Sequence, residues 1–358
     1  MNLSKCFEGL KVLELANVLA GPAVGMFFAE LGADVLKIEN STTDGDMTRK
    51  WKLPSEDKNS NISAYYCSVN WNKTVKHLNL KEEEDQKFIH DLITKTDIVI
   101  SNYKPGKANN LKMDYDTLKK INPKLIYAHI SGFGELSSRT AFDVVLQAET
   151  GFMSMNGQPD SPPTKMPVAL IDVLAAHQLK EGILISLIQR SKTGKGNYIS
   201  TSLYHSAIAS LSNQATNWLM ADCIPTKLGS THPNIAPYGE IVTTKDNQKI
   251  VLAIGTNKQF IELCKIIGRF DLFKIDDFST NEKRVFNRGK LINEIIISLE
   301  KIDSQFFIEN CIKNDVPYGV VKNVKEVFEG TDADKLTLNE KINNQQTSRV
   351  KTVAFEIK

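Results

Sequence analysis

Short apolar runs alternate with helix-like stretches along the first 130 residues. Leu10, Val12, Leu13 and Leu15 form a run over Leu10 to Leu15 short enough for a buried parallel strand. Val24 to Leu31 carries a helical pattern that Gly32 can end in a left-handed conformation. Val35 to Glu39 reads as a second strand, and Asp97 to Ser101 and Lys124 to Ile130 as further ones, with a helix over Glu82 to Lys95. Strands alternating with helices predict a parallel sheet covered on both faces.

The pattern changes in the middle of the chain. Val168 to Ile171 is an apolar, strand-like run that ends at Asp172, and a helix is expected from Val173 to Gln189. In it Leu179, Ile183 and Leu187 recur at four-residue spacing, as do Leu184 and Ile188. A turn at Thr193 to Gly196 leads to a strand over Asn197 to Leu203 and a long helix over Tyr204 to Met220. Asp222 to Pro237, with three prolines, reads as a loop between domains. Beyond it, a strand over Lys249 to Ile254 and helices over Gln259 to Ile267 and Gly289 to Lys301 suggest a smaller α+β domain.

Composition narrows the class. The 358 residues carry 44 Lys+Arg against 42 Asp+Glu, and this balance argues against a nucleic-acid binder. No apolar run approaches the ~18 residues of a membrane span, and Met1 to Cys6 lacks a signal-peptide pattern. Cys6, Cys67, Cys223, Cys264 and Cys311 are dispersed, with no C-x-x-C, and no H-x-x-x-H pair occurs. Such usage suits a reducing compartment and suggests neither a disulfide framework nor a zinc site. The expectation is a cytoplasmic, metal-independent enzyme.

Glu39 ends the second strand where a ribose-binding acid would sit in a dinucleotide-binding unit. The turn before the first helix, Asn17-Val18-Leu19-Ala20-Gly21-Pro22, lacks the G-x-G-x-x-G that lets backbone approach a pyrophosphate. No Walker A sequence and no G-x-S-x-G elbow occurs either. Asp172 remains, directly before a helix. Aspartate is among the best N-cap residues, so it can simply cap. It can equally be a carboxylate nucleophile, kept ionised at neutral pH by the helix N-terminus. Position alone leaves both readings open.

A wider constellation bears on that choice. Leu10 to Leu15 with Leu19-Ala20-Gly21-Pro22, then Glu30 to Glu39, open the series. Gly45-Asp46-Met47-Thr48-Arg49, Asn72-Lys73-Thr74, Asn102-Tyr103-Lys104-Pro105-Gly106 and Ser131-Gly132-Phe133-Gly134 follow in order. Phe142 to Ala148, Asp172, Lys192 to Gly196 and Pro317 to Val321 complete it. Together, over nearly the whole chain, they resemble the family III CoA-transferases, which include formyl-CoA and carnitine CoA-transferases and are related to the α-methylacyl-CoA racemases. The resemblance implies a Rossmann-like large domain and a smaller α+β domain in an interlocked, ring-like homodimer. The large domain, which binds coenzyme A, would comprise residues 1–200 and 325–358, with a linker helix and loop at 201–237 and the small domain at 238–324.

The resemblance also implies roles. Asp172 aligns with the family's nucleophile, which passes through an aspartyl anhydride and an aspartyl-CoA thioester. Acyl-CoA and a carboxylic acid are then substrates, and no permanently bound cofactor, metal, nucleic acid or membrane is involved. CoA contacts carry over to Leu19, Ala20, Asn40, Leu78, Lys81, Asn102, Tyr103, Lys104, Thr140 and Asp143. Leu19 stands where formyl-CoA transferases have a substrate-touching glutamine. Asn40 and Asn110 stand where arginine is frequent, leaving Lys73, Lys76, Lys81 and Lys104 to supply charge for the phosphates. The alternative is a 2-methylacyl-CoA racemase or epimerase. Racemases carry a histidine where this chain has Phe142 and a glutamate where it has Asn257, and neither of these residues exchanges protons. His129 and His177 are the remaining histidines to consider as a base.

Overall fold

The computed structural model describes residues 3–330, 332–342 and 344–358. The chain divides into two compact units: Met1–Phe152 with Lys165–Cys223 and Asp332–Lys358, and Met153–Thr164 with Ile224–Thr331.

The first unit is built on a six-stranded, wholly parallel sheet. Its strands are β1 (Lys11–Leu15), β2 (Asp34–Asn40), β3 (Thr74–Leu78), β4 (Ile98–Ser101), β5 (Ile126–Ser131) and β6 (Tyr198–Ser202). Their spatial order is β3-β2-β1-β4-β5-β6, the doubly wound Rossmann-like order. The helices that matter for the site are α1 (Ala20–Glu30), α2 (Glu83–Ile93), α3 (Tyr115–Ile121), α4 (Asp143–Glu149), α5 (Leu170–Thr193), α6 (Leu203–Ala209) and α7 (Ser212–Ala221).

Strand alternation splits the core between the two faces. Val12, Ile98, Ile100, Ala128 and Ile130 meet Val24 and Phe28 of α1 and Ala175, Leu179 and Ile183 of α5 on one face. Leu13, Leu15, Val99 and Tyr127 meet Ile89 and Ile93 of α2 and Leu118 of α3 on the other. Each such side chain contributes about 1.5–3 kcal/mol by leaving water, so this double-sided burial fixes the sheet before any polar contact is considered.

Two expectations change, and one strand was not foreseen. Val168 to Ile171 is not a strand, because α5 already begins at Leu170. Ile171 packs with Ala175 one turn on, while Val168 is 59% exposed, so the short apolar run belongs to a helix start. The long helix expected over Tyr204 to Met220 is two helices, α6 and α7, with Ser212 at φ 47° at their junction. Strand β3 was not apparent from the sequence because it is an edge strand whose Thr74, Lys76 and His77 are exposed.

A C-terminal hairpin, β10 (Thr337–Ile342) with β11 (Gln345–Val350), belongs to the same unit. Glu340 accepts from the Asn72 N–H, and Glu30 accepts from the N–H groups of Thr352 and Val353. These bonds tie the chain end back to residues more than 260 positions earlier.

The second unit holds the antiparallel sheet β7 (Tyr238–Thr243), β8 (Lys249–Ala253) and β9 (Tyr318–Val320), with β8 central. Its own core joins Val242, Ile250 and Leu252 to Phe260, Leu263, Leu291, Ile295 and Phe307. No helix among the described residues is long and apolar enough to cross a membrane.

Candidate active site

In an open α/β sheet the crevice forms outside the carboxyl ends of the strands, where the strand order reverses. Here that point lies between β1 and β4. A cavity of about 230 Å³ lies there, lined by Asn17 to Ala20 after β1, Asn102 to Pro105 after β4 and Ile130 to Gly132 at the end of β5. Met47, Ser137, Arg139 to Phe142, Leu203 and Asp172 complete its wall.

Asp172 is the third residue of α5 and does not cap it. Ala169 holds the cap position without a side-chain bond, and the Ile171 N–H donates instead to Asp143 Oδ1 at 2.7 Å. Asp172 is 7% exposed, and among the described residues its carboxylate has no hydrogen-bond partner. Burial, with Asp143's charge added, pushes its carboxyl up to about 7. The helix N-terminus therefore does not hold it fully ionised at neutral pH, contrary to the expectation from position. Tyr65 lies close enough for the Asp172 charge to help hold its phenol up, at about 12, after burial itself. Its ring meets Trp51 at 5.0 Å, and Trp51 meets Phe142 at 6.4 Å.

The turn that forms the opposite part of the lining is held by buried charges. Glu14 and Lys37 are register partners on β1 and β2, and their side chains join at 3.0 Å with no solvent exposure. Lys37 also bonds Asp46 at 3.1 Å and the Ala16 carbonyl at 2.7 Å. Glu14 meets Lys73 at 2.8 Å, and Glu39 receives the Arg49 guanidinium at 2.7 and 2.8 Å. Tyr66 donates to the same Glu39 carboxylate. Burial alone would lower the Lys37 ammonium, but Glu14, Asp46 and Glu39 outweigh it and hold it above the usual lysine range. Burial wins at Lys73 and brings it to about 8 despite Glu14.

Two glycines make room for this cluster. A Cβ at Gly25 would stand 1.9 Å from Glu14 Oε2, and one at Gly45 would stand 2.1 Å from Glu39 Oε2. Gly45 also has φ 90°, so any side chain there would be strained as well.

The cluster reaches the cavity through Val18. This β-branched residue has φ 74°, a left-handed conformation that costs of order 1–3 kcal/mol. Its N–H donates to Asp46 at 3.2 and 3.4 Å. The neighbouring Asn17 exchanges two bonds with the Asn102 side chain, at 3.2 Å through its N–H and 2.9 Å through its carbonyl.

The residues expected to touch CoA separate into three groups. Leu19, Ala20, Asn102, Tyr103, Lys104 and Thr140 line the Asp172 cavity, where Lys104 bonds Thr140 at 2.6 Å. Asn40, Leu78 and Lys81 line a second cavity of about 400 Å³ that shares Asn17, Met47 and Tyr103 with the first. Asp143 lines neither, since its carboxylate is engaged by the Ile171 N–H and Gln147. Lys73 is removed as a source of charge for phosphates, because it is enclosed with Glu14. Lys76 lies over the Phe88 ring and lines neither cavity. Lys50 and Lys107 line the second cavity instead, and sequence reasoning missed both, since each reads as an ordinary surface lysine.

The racemase positions are also placed. Asn257 Oδ1 accepts from the buried Arg284 within the second unit. His129 shares the sheet face of Tyr127, opposite the Ala128 and Ile130 face that packs on α5, so it does not reach Asp172. His177 is exposed on α5.

Fold and site define an α/β protein with a buried carboxylate, unpartnered among the described residues, in a cleft at the strand ends. The family model for CoA-transferase family III matches residues 7–358. A succinate–glutarate CoA-transferase of Agrobacterium fabrum is 36% identical over 327 residues, covering 90% of this chain and 81% of its own. The succinyl-CoA:glutarate CoA-transferase of Homo sapiens is 36% identical over 331 residues, covering 92% and 74% respectively. Among solved structures, a CaiB/BaiF family protein from Brucella suis is 33% identical with a TM-score of 0.83, covering 97% of this chain and 92% of that one. The chain belongs to CoA-transferase family III and is an enzyme of that class, an acyl-CoA:carboxylate CoA-transferase.

Proposed function

We propose that this enzyme moves CoA from an acyl-CoA donor to a carboxylic acid through covalent intermediates on Asp172. The observation that carries the reading is the unpartnered, buried Asp172 carboxylate in a cavity shared with Leu19, Ala20 and Asn102 to Lys104. A carboxylate oxygen attacks the thioester carbonyl, the C–S bond breaks, and CoA leaves as thiolate from an acyl-aspartyl anhydride. The thiolate then attacks the Asp172 carbonyl carbon and releases the donor acid as a carboxylate. The acceptor carboxylate attacks the resulting aspartyl-CoA thioester and expels the thiolate, which then attacks the acceptor's acyl carbon, breaks the anhydride C–O bond and frees Asp172 as a carboxylate. No proton is gained or lost, and each exchange splits a difficult swap into acyl transfers. With no hydrogen bond or cation holding its charge, Asp172 is a better nucleophile than a salt-bridged acid.

CoA extends from this cavity into the second one, with Lys81, Lys107 and Lys50 toward its phosphates in place of the arginines absent at Asn40 and Asn110. The names of the relatives support a dicarboxylate of succinate or glutarate size as donor acid or acceptor. Leu19, in place of a glutamine, speaks against oxalate or formate. Phe142 and Asn257 supply no acid or base, which speaks against racemisation.

An interlocked homodimer belongs to the same proposal. Ile185 and Ile188 of α5 are 58% and 57% exposed and Leu219 and Met220 of α7 are 77% and 83% exposed, apolar surface that a second copy would cover. Tagged and untagged dimers mixed after folding are then expected not to exchange subunits. Mass spectrometry of acyl-CoA donors incubated with a panel of acids tests the activity. New acyl-CoA products dependent on the added acid are expected; α-deuterium uptake in D₂O without transfer would favour racemisation instead.

A further inference from the structure

Residues 16, 17 and 18 are each held by a side chain from a different segment, buried for Lys37 and Asp46 and half-buried for Asn102. The Ala16 carbonyl accepts from Lys37, Asn17 exchanges two bonds with Asn102, and the Val18 N–H donates to Asp46. Asp46 is 2% exposed and its side chain does not line the cavity, although the next residue, Met47, does. It is itself fixed by Lys37 and by both the N–H and the hydroxyl of Thr48, at 3.0 and 2.8 Å. The grip is applied where the backbone least favours its conformation, at a β-branched residue with φ 74°. Directly after it comes the first turn of α1, whose N-cap Leu19 makes no side-chain bond and whose Leu19 and Ala20 line the cavity with Asp172.

We propose that Asp46 is a positioning residue for CoA transfer: it holds Val18 in its left-handed conformation and so fixes the Leu19–Ala20 wall against the reacting thioester. The proposal rests on the reading of the Asp172 cavity as the reacting site. Gly45-Asp46-Met47-Thr48-Arg49 then has a function that binding alone does not give it. Gly45 permits the approach of Glu39, Arg49 anchors the segment on Glu39 and Tyr66, and Asp46 transmits that rigidity to the cavity. Without the carboxylate, a valine at this position returns to negative φ and carries Leu19 with it. A glycine does not, since left-handed φ is open to it without Asp46.

This asymmetry supplies the test. Asp46→Ala is expected to lower kcat about 30- to 100-fold with KM for acyl-CoA changed less than fivefold, the split of a displaced wall rather than a lost ligand. Adding Val18→Gly to Asp46→Ala is expected to recover at least tenfold in kcat relative to Asp46→Ala alone, with Val18→Gly alone as the reference of the cycle. If Asp46→Ala does not fold, as judged by circular dichroism, the cycle runs on Asp46→Asn, which keeps an acceptor oxygen but loses the charge. A double variant as slow as the Asp46 variant, or an effect confined to KM, would overturn the proposal. Asp172→Ala, run in parallel, separates the two readings. If it stays active the cavity assignment falls, whereas a dead Asp172→Ala with no rescue by Val18→Gly removes only the role of Asp46.

Discussion

Glu14, Glu39 and Asp46 are 0%, 0% and 2% exposed, and Asp172 is 7% exposed, yet the first three are enclosed by lysine, arginine and backbone donors while Asp172 has none. The enclosed acids share their surroundings with Lys37, Arg49 and Lys73, so their charges are neutralised where they lie. They can brace β1, β2 and the turn after β1, but each is too well satisfied to attack anything. Asp172 faces the same loss of solvent, and the charged group that acts on it among the described residues is another acid, Asp143. Its carboxyl is therefore held near neutrality. Pairing turns a buried acid into scaffold; leaving it unpaired stores reactivity at the expense of stability.

The contrast can be broken from either side. Asp172→Ala removes the reactive acid and is expected to lower CoA transfer by at least ~10³, or roughly 4 kcal/mol of barrier, in a steady-state assay. Lys37→Met removes the cation that Glu14 and Asp46 share, leaving Glu14 with Lys73 and Asp46 with N–H and hydroxyl donors, at an expected loss of about 3–5 kcal/mol in denaturant unfolding. Asp172→Asn sharpens the contrast in the opposite direction. Burial and the Asp143 charge push the folded carboxyl up to about 7, well above the ordinary aspartate range, so the native state holds its proton more tightly than the unfolded chain does. That carboxyl takes nothing from stability below about pH 4, and the loss grows as pH rises through about 7. Asp172→Asn should therefore be more stable than the wild type at pH 8, by at most about 4 kcal/mol, and equal to it in acid. Activity runs the other way: kcat/KM is expected to fall about tenfold per unit below pH ~7 as Asp172 protonates. The smallest effect belongs to the phosphate end, where Lys81→Ala or Lys107→Ala should raise KM for acyl-CoA about tenfold and leave kcat near wild type.

Much of the first unit was legible because its signals are local. The apolar run of β1, the α1 stop at Gly32 and the strand run of β5 each involve residues a few positions apart, and they suffice to give a parallel sheet, but the strand order that places the crevice between β1 and β4 depends on long-range pairing. Asp172 was legible as a candidate, but its state was not. Whether it caps depends on Asp143, whose carboxylate takes the Ile171 N–H across 28 positions of sequence. Lys73 shows the limit from the other side. A lysine in a polar stretch reads as solvated, and only the approach of Glu14 and the room left by Gly25 enclose it. Strand β3 and the C-terminal hairpin carry mostly polar residues, so periodicity had nothing to report there.

The central claim is that Asp172 takes the acyl group and then CoA, and it is most directly tested by trapping. The enzyme is incubated with succinyl-CoA, quenched with and without hydroxylamine, digested, and the peptide containing Asp172 weighed by mass spectrometry. A succinyl or CoA adduct on that peptide, converted to a hydroxamate by hydroxylamine and absent from Asp172→Asn, is the predicted result. An enzyme that transfers CoA at full rate with Asp172 unmodified throughout would contradict the account.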